Sequence, residues 1–311
     1  MYRKDLSSLS LVFCVYVISP LILLGSACVF ADKPLVDNSV SSTPWILIDN
    51  FESGVLSADW IKKDTKNNTK PRVENPQVTD VLLEDKISEN ILSENVLKNY
   101  FLLKKPAAEG VVGNRKALTF KKLPVEIPVG ETYTIFSRVN IEYFPNNHVY
   151  GLSNLDAKGI EENDYNAFEP SLRITDKFES NGYKNDGTLM VKTHEGYAKI
   201  IDPLSKREAK PAQTNVWYDI WLVVNNNTLE NGGQTYDVYV RGGEFKTQKK
   251  VYSDANFRME REKPLTYFLM NCNTGPSDKP YGNGGVRYDD LYMRKGIKLD
   301  YPVLFDGGVK K

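Results

Sequence analysis

The chain carries two histidines, His148 in NNHVYGLSN and His194 in VKTHEGY. His148 stands two residues before Tyr150, so on a strand both side chains share a face and form a candidate base and acid. His194 stands in the same relation to Lys192. Arg138 and Asn140 alternate in YTIFSRVNIEYF, and Ser171 and Arg173 alternate in PSLRITD. With Tyr288 of VRYDDLYM these residues form a set able to neutralise a carboxylate and exchange the proton beside it, while Tyr197, in a loop or at a strand end, is a candidate to line a sugar subsite. A basic set of this kind suits an anionic ligand. Each member also has a plainer reading, since outward Arg and Lys on a sheet are ordinarily solvated and a lone His is ordinarily structural.

Other chemistries find less support. Two histidines without matched Cys or carboxylate partners make a poor zinc site. No G-x-S-x-G nucleophile turn occurs, and RGG and NGG read as turn glycines. The acidic run GIEENDY, with Glu161, Glu162 and Asp164, lacks the strand alternation that a paired-carboxylate glycosidase needs and reads as a loop. Asp289 and Asp290 are adjacent, so on a regular strand they point to opposite sides. Asp290, with Asp49 of IDNF, is a candidate pair of oxygen ligands for a structural calcium. Proton exchange by the basic set requires no cofactor.

These residues depend on strands for their placement. YTIFSRVNIEYF puts Ile135, Val139 and Ile141 on one face and Arg138, Asn140 and Glu142 on the other. PSLRITD sets Leu172 and Ile174 against Ser171 and Arg173, and TLMVKTHEGY sets Leu189 and Val191 against Met190, Lys192 and His194. Similar runs recur along the chain between Asn, Gly, Pro and Asp turns. The fold class expected is all-β, a two-sheet antiparallel sandwich of the jelly-roll type. WYDIWLVV and YDVYVRGG, joined by NNNTLENGGQT, read as a hairpin whose aromatics Trp217, Trp221, Tyr236 and Tyr239 pack rather than bind. Residues 75–105 break the pattern: Ile87, Ile91, Leu92 and Val96 approach helical spacing, which suggests an insertion crossing one end of the sandwich.

The first 31 of the 311 residues have the form of a secretory signal: Arg3 and Lys4, an apolar run from Leu9 to Leu24, and a small-residue cut after Ala31. A secreted or periplasmic protein is expected, with lipid attachment at Cys28 as the alternative. The run is short for a retained membrane span. Residues 32–44 read as a linker, 45–302 as the sandwich domain and 303–311 as a tail. Without residues 1–31 there remain 38 basic and 39 acidic residues, a net charge of −1, which gives no footprint for nucleic acid. Cys272 is then the single cysteine, so no internal disulfide forms. A monomer is expected.

IDNFESG, WYDIWLVV with YDVYV, and VRYDDLYMRKGIKL resemble the concanavalin A-like, laminin G-like jelly rolls of secreted bacterial polysaccharide-active proteins, over most of residues 45–300. Among enzymes of that fold the chain looks most like the polysaccharide lyases acting on uronic-acid polymers, with ulvan lyases as a candidate group. The resemblance implies β-elimination on an acidic polysaccharide, sulfated or not, with His148, Tyr150, Arg173, Lys192, His194 and Tyr288 as catalytic candidates. Arg138, Asn140, Ser171 and Tyr197 would bind substrate. The Gln-Ile-His strand and Arg-rich first motif of the alginate-lyase type are absent in that form. Two further readings are a non-catalytic glycan-binding protein and an adhesive laminin G-like protein.

Overall fold

The computed structural model describes residues 43–84 and 99–302. The expectations for the signal, Cys28, the helical spacing from Ile87 to Val96 and the tail lie outside them. The strands are β1 (Ile46–Asp49), β2 (Ile61–Asp64), β3 (Asn67–Lys70), β4 (Val78–Leu83), β5 (Tyr100–Lys105), β6 (Val112–Asn114), β7 (Ala117–Ile127), β8 (Thr132–Ile141) and β9 (Asn147–Ser153). After helix α1 (Ala157–Asn163) come β10 (Phe168–Thr175), β11 (Met190–Thr193), β12 (Gly196–Lys199), β13 (Trp217–Asn225), β14 (Thr235–Gly242), β15 (Phe245–Asn256), β16 (Leu265–Cys272) and β17 (Val286–Lys295).

Two antiparallel sheets carry the fold, as expected. The first runs β15-β14-β13-β8-β17-β5-β4, with β1 also paired to β17; the second runs β12-β11-β10-β9-β16-β7-β2. A small ribbon pairs β3 with β6. The inward residues of both sheets meet in one core, to which β8 gives Ile135, Val139 and Ile141, β10 gives Leu172 and Ile174, and β13 gives Ile220, Leu222 and Val224. Because the side-chain period is two, the same strands must turn Arg138, Arg173 and Trp221 outward.

Both outer faces are partly covered. On the first sheet Trp221 packs with Phe136 and Tyr292. On the second, α1 lays Ile160 over Leu118, Phe120, Val149, Phe168 and Leu269. Asp156 caps α1, its Oδ1 accepting from the Gly159 amide at 2.7 Å. The helix ends at Asp164, where φ is 59°, and the following turn, Asp164–Ala167, delivers Tyr165 to the outer face of the second sheet.

The insertion expected over 75–105 is narrower in the structure. β4 and β5 pair antiparallel from Val78 opposite Lys105 to Leu83 opposite Tyr100, at the edge of the first sheet. Phe101, Leu102 and Leu103 of β5 are buried in succession, and a continuous apolar run has no period to separate strand from helix. The WYDIWLVV hairpin stands as expected, with Asp219 opposite Arg241 through Asn225 opposite Thr235. Among the described residues no helix is long and apolar enough to cross a membrane.

Leu172 is fully buried between the sheets. Leu172→Ala is expected to lower unfolding free energy by about 2–5 kcal/mol through lost transfer energy and a residual cavity, read from the urea or guanidinium midpoint.

Candidate functional site

The outer face of the second sheet carries a cleft of about 250 Å³. Its floor follows from strand alternation: Val149 lies opposite Arg173 and Asn147 opposite Thr175 across β9 and β10, and Tyr197 lies opposite Lys192 across β11 and β12. Arg173 and Asn147 therefore share the outward face, and the Arg173 Nη2 lies 3.4 Å from Asn147 Oδ1. Asn273 follows β16, and its amide nitrogen donates to the Asn147 carbonyl at 3.3 Å. The walls come from Arg115 and Lys116 before β7, Tyr165 after α1, Lys177 and Glu179 after β10, Arg258 after β15, and Tyr281.

Five cations and one carboxylate line this space. Arg173 is only 6% exposed, and a charge so placed requires a partner. Glu179 supplies it at 2.7 Å and also holds Lys177 at 2.8 Å. Asn185 donates to the same carboxylate at 2.7 Å. Burial works to raise the Glu179 carboxyl, but the Lys177 hydrogen bond and the Arg173 charge outweigh it and hold the group below its ordinary value. Lys116 pairs with Asp164 at 2.9 Å, yet burial still pulls its ammonium below the usual range. Arg258 donates to the Tyr197 hydroxyl at 2.9 Å and to Asn166 at 3.1 Å. Among the described residues neither Arg258 nor Arg115 forms an ion pair. The cleft thus keeps uncompensated positive charge at both of these arginines.

Two tyrosines bring oxygen to this charge. The Tyr165 hydroxyl accepts from Asn147 Nδ2 at 3.1 Å and from Asn273 Nδ2 at 2.7 Å. The Lys116 ammonium sits 4.0 Å from the Tyr165 ring centre. Burial pushes the Tyr165 phenol up, opposed by the Arg173 charge, so it holds its proton at neutral pH. Tyr197 lies beneath the Arg173 guanidinium, 4.6 Å from its ring centre. Both hydroxyl oxygens accept N–H bonds and, among the described residues, neither gives its own proton to a protein acceptor. Each hydroxyl therefore remains free to exchange its proton with a ligand or with solvent.

The residues singled out by alternation separate into three groups. Arg173 and Tyr197 line the cleft, and Lys192 lies beside Tyr197 on the same face, its ammonium pulled down by burial and by the Arg258 charge. Ser171 shares this face but is buried opposite Gly151, its hydroxyl unpartnered. His194 stands apart in the turn between β11 and β12, 72% exposed, with Nδ1 3.6 Å from Glu260 and Nε2 2.7 Å from the Asn256 amide.

The second group points inward. His148 and Tyr150 share a face as expected, but that face is the core. Burial depresses the His148 imidazole to about 3, and its Nε2–H donates to the Gly284 carbonyl at 2.9 Å. Tyr150 packs edge-on to Tyr288 with ring centres 5.4 Å apart, and burial raises both phenols. The expectation that His148, Tyr150 and Tyr288 join the outward set fails because, within β9 and β17, these positions are in phase with Leu152 and Val286 of the core.

Arg138 and Asn140 belong to the other sheet. Arg138 meets Asp219 at 3.4 Å and Asp289 and Asp290 at 3.3 Å each, while Asn140 Oδ1 accepts from Arg287 at 3.2 Å. The two aspartates do not point apart. The register of β17 against β8 breaks between Asp289 and Tyr292, with φ of 49° at Asp290, and this bulge turns both carboxylates to Arg138. Asp49 accepts from Lys121 at 2.9 Å and from Trp60 at 2.8 Å. Asp49 and Asp290, the candidate calcium pair, are thus each engaged by protein cations, and among the described residues no cluster of three or more His, Cys, Asp or Glu is placed to hold a metal ion.

Alternation passed over Asn147, Tyr165, Asn273, Lys116 and Arg258. Tyr165 lies at the end of the acidic GIEENDY run, whose role is positional: Asp164 anchors Lys116 and the turn presents the phenol. Asn147 was legible as the outward neighbour of Val149 once β9 was known to face inward at His148.

No protein-family model matches the chain, and no curated protein matches it. Among solved structures the chain is similar to the marine PL-14 alginate lyase from Aplysia kurodai, at 14% identity and a TM-score of 0.44 over 70% of this chain and 87% of that one. It is similar to the alginate lyase Aly36B at 9% identity and a TM-score of 0.37, over 65% of this chain and 82% of that one. It is similar to peanut lectin at 6% identity and a TM-score of 0.39, over 78% and 98%.

The placement of His148 and Tyr288 has measurable consequences. With its folded value lowered from 6.5 to about 3, His148 contributes full stability above 6.5 and progressively less as the pH falls towards 3, because only the unfolded chain takes up the proton. Its imidazole NMR signals are expected to keep neutral-form positions through that window while the unfolding midpoint declines. The Tyr288 hydroxyl is buried without a partner, so Tyr288→Phe is expected to unfold at the same denaturant concentration as the parent or a higher one.

Proposed function

We propose that this protein is an exported lyase that cleaves a uronic acid-containing polysaccharide, of the acidic, ulvan-like kind, by β-elimination. The observation that carries the reading is the convergence, in one cleft, of Arg173, Arg258 and Arg115 with two tyrosine hydroxyls whose oxygens receive only donors. The proton alpha to a uronate carboxylate is weakly acidic, and removing it places charge on that carboxylate. Arg258, with the amides of Asn147 and Asn273, is positioned to take up the developing charge.

Tyr197, once its own phenolic proton has passed to solvent beside the guanidiniums of Arg173 and Arg258, acts as the base that removes the alpha proton and returns it to solvent after product leaves. The electron pair of the broken C–H bond becomes a carbon–carbon double bond, and the glycosidic carbon–oxygen bond on the adjacent carbon breaks. Tyr165, held protonated by burial, gives its proton to the departing oxygen. No redox partner is needed. Arg173 acts from below, fixing the Tyr197 ring and carrying the positive charge that Glu179 orients. The protein works as a monomer on a polymer outside the cytoplasm.

The reading is tested by incubating the protein with a panel of uronic-acid polymers and following the ultraviolet absorbance of the unsaturated product. Tyr197→Phe is expected to lower turnover by about 10²–10⁴-fold with polymer binding retained, the range typical of a lost proton-transfer group. No absorbance rise on any polymer rejects the lyase. Retention of polymer on an affinity gel without product would instead identify a glycan-binding protein.

A further inference from the structure

Beyond Arg115 the outer face opens into a second cavity of about 610 Å³, lined by Asn68, Lys70, Arg115, Ser277 and Asp278 among others. Arg115 lines both spaces. The two floors are also joined through the chain. Asn273 belongs to the cleft, and Thr274 next to it is bonded to β6 in both directions, the Asn114 amide donating to Thr274 Oγ1 at 2.9 Å and the Thr274 amide donating to the Asn114 carbonyl at 2.8 Å. The chain then runs on to Ser277 and Asp278 in the second cavity. On the other side Lys116, of the cleft, is the residue after Arg115.

The floor of the second cavity is the β3–β6 ribbon, in which Lys70 lies opposite Val112. Gly113 takes a φ of 91°, and a Cβ there would run into the Asn68 carbonyl, so glycine lets the two strands lie close. Lys70 and Arg115 are exposed, and among the described residues neither forms an ion pair. The cations Lys116, Arg173 and Lys177 of the cleft, by contrast, each hold a carboxylate. An unpaired cation attracts an external anion more strongly than one already neutralised.

We propose that the cleft continues past Arg115 into a second anion-binding subsite, where Lys70 and Arg115 receive a carboxylate or sulfate ester on a neighbouring sugar of the same polymer. This rests on the polymer reading of the cleft given above. The subsite makes affinity depend on chain length, because a fragment confined to the cleft leaves Lys70 unused. Asp278 opposes the same anion, so its neutralisation strengthens binding.

The test is the dissociation constant of ulvan-derived and alginate-derived disaccharides and octasaccharides, measured by calorimetry on the Tyr197→Phe protein and on the same protein carrying Lys70→Gln or Asp278→Asn. All three changes are at exposed or partly exposed positions, so folding is retained. The octasaccharide is expected to bind more tightly than the disaccharide. Lys70→Gln is expected to weaken octasaccharide binding about tenfold and Asp278→Asn to tighten it several-fold, with disaccharide affinity unchanged and both effects shrinking as salt is raised. Equal affinity for both lengths, no binding of either, or indifference of the octasaccharide to both substitutions overturns the subsite. Length-dependent, charge-dependent binding by a protein that forms no unsaturated product would leave the subsite standing and reject the lyase.

Discussion

A guanidinium buried as deeply as that of Arg173 is tolerated only with a counter-charge and aromatic cover, and the candidate site is organised by meeting that need. Glu179 at 2.7 Å neutralises it, Asn147 lies 3.4 Å from it, and the Tyr197 ring stacks beneath it at 4.6 Å. Each partner comes from a different element: the loop after β10, the start of β9 and the strand β12. Satisfying one charge therefore draws three separated segments together. Breaking such a pair by removing one side leaves an uncompensated buried charge, which costs about 3–5 kcal/mol, so the geometry around Tyr197 and Asn147 is held firmly. Rigid placement of donors is what lets a site stabilise charge that develops only during reaction.

The two outer faces of the sandwich solve the same electrostatic problem in opposite ways. On the first sheet a single cation, Arg138, is surrounded by Asp219, Asp289 and Asp290. Burial and the adjacent Asp290 push the Asp289 carboxyl well above its ordinary value, Arg138 opposing them. Around Arg138, carboxylates are therefore in excess. In the cleft on the second sheet the cations are in excess, and among the described residues Arg258 and Arg115 form no ion pair. A chain with equal numbers of acidic and basic residues thus gathers charges of opposite sign at two separate places.

Aromatic residues divide less sharply, since on the first sheet Arg138 also lies over Trp217 and Arg287 over Phe101. Trp221, Phe136 and Tyr292 on the first sheet pack on one another. Tyr165, Tyr197 and Tyr281 on the second lie against Lys116, Arg173 and Lys177 respectively. Rings packed on rings are consumed by the fold, while rings under cations keep an edge or a hydroxyl towards the cleft. The acidic GIEENDY run acquires its purpose here, because Asp164 ends α1 and anchors both Lys66 and Lys116 at 2.7 and 2.9 Å.

What the sequence determined by itself was local. Alternation in YTIFSRVNIEYF and PSLRITD placed Ile135, Val139, Leu172 and Ile174 in the core and turned Arg138 and Arg173 away from it, because the strand period of two leaves no other option once one face is buried. The WYDIWLVV hairpin and the all-β sandwich followed from the same pattern. Tertiary structure decided which outward residues could meet. Arg138 and Arg173 have the same alternation signature, yet strand order puts them on different sheets, and strand order is a property of pairings between segments far apart in the chain. The phase of His148, Tyr150 and Tyr288 was equally open, since a histidine or tyrosine suits either face until the neighbouring strand fixes the register. The cleft is built from Asn147, Tyr165, Arg173, Tyr197, Arg258 and Asn273, several of them on turns and strand ends, where periodicity ends and only packing assigns a direction.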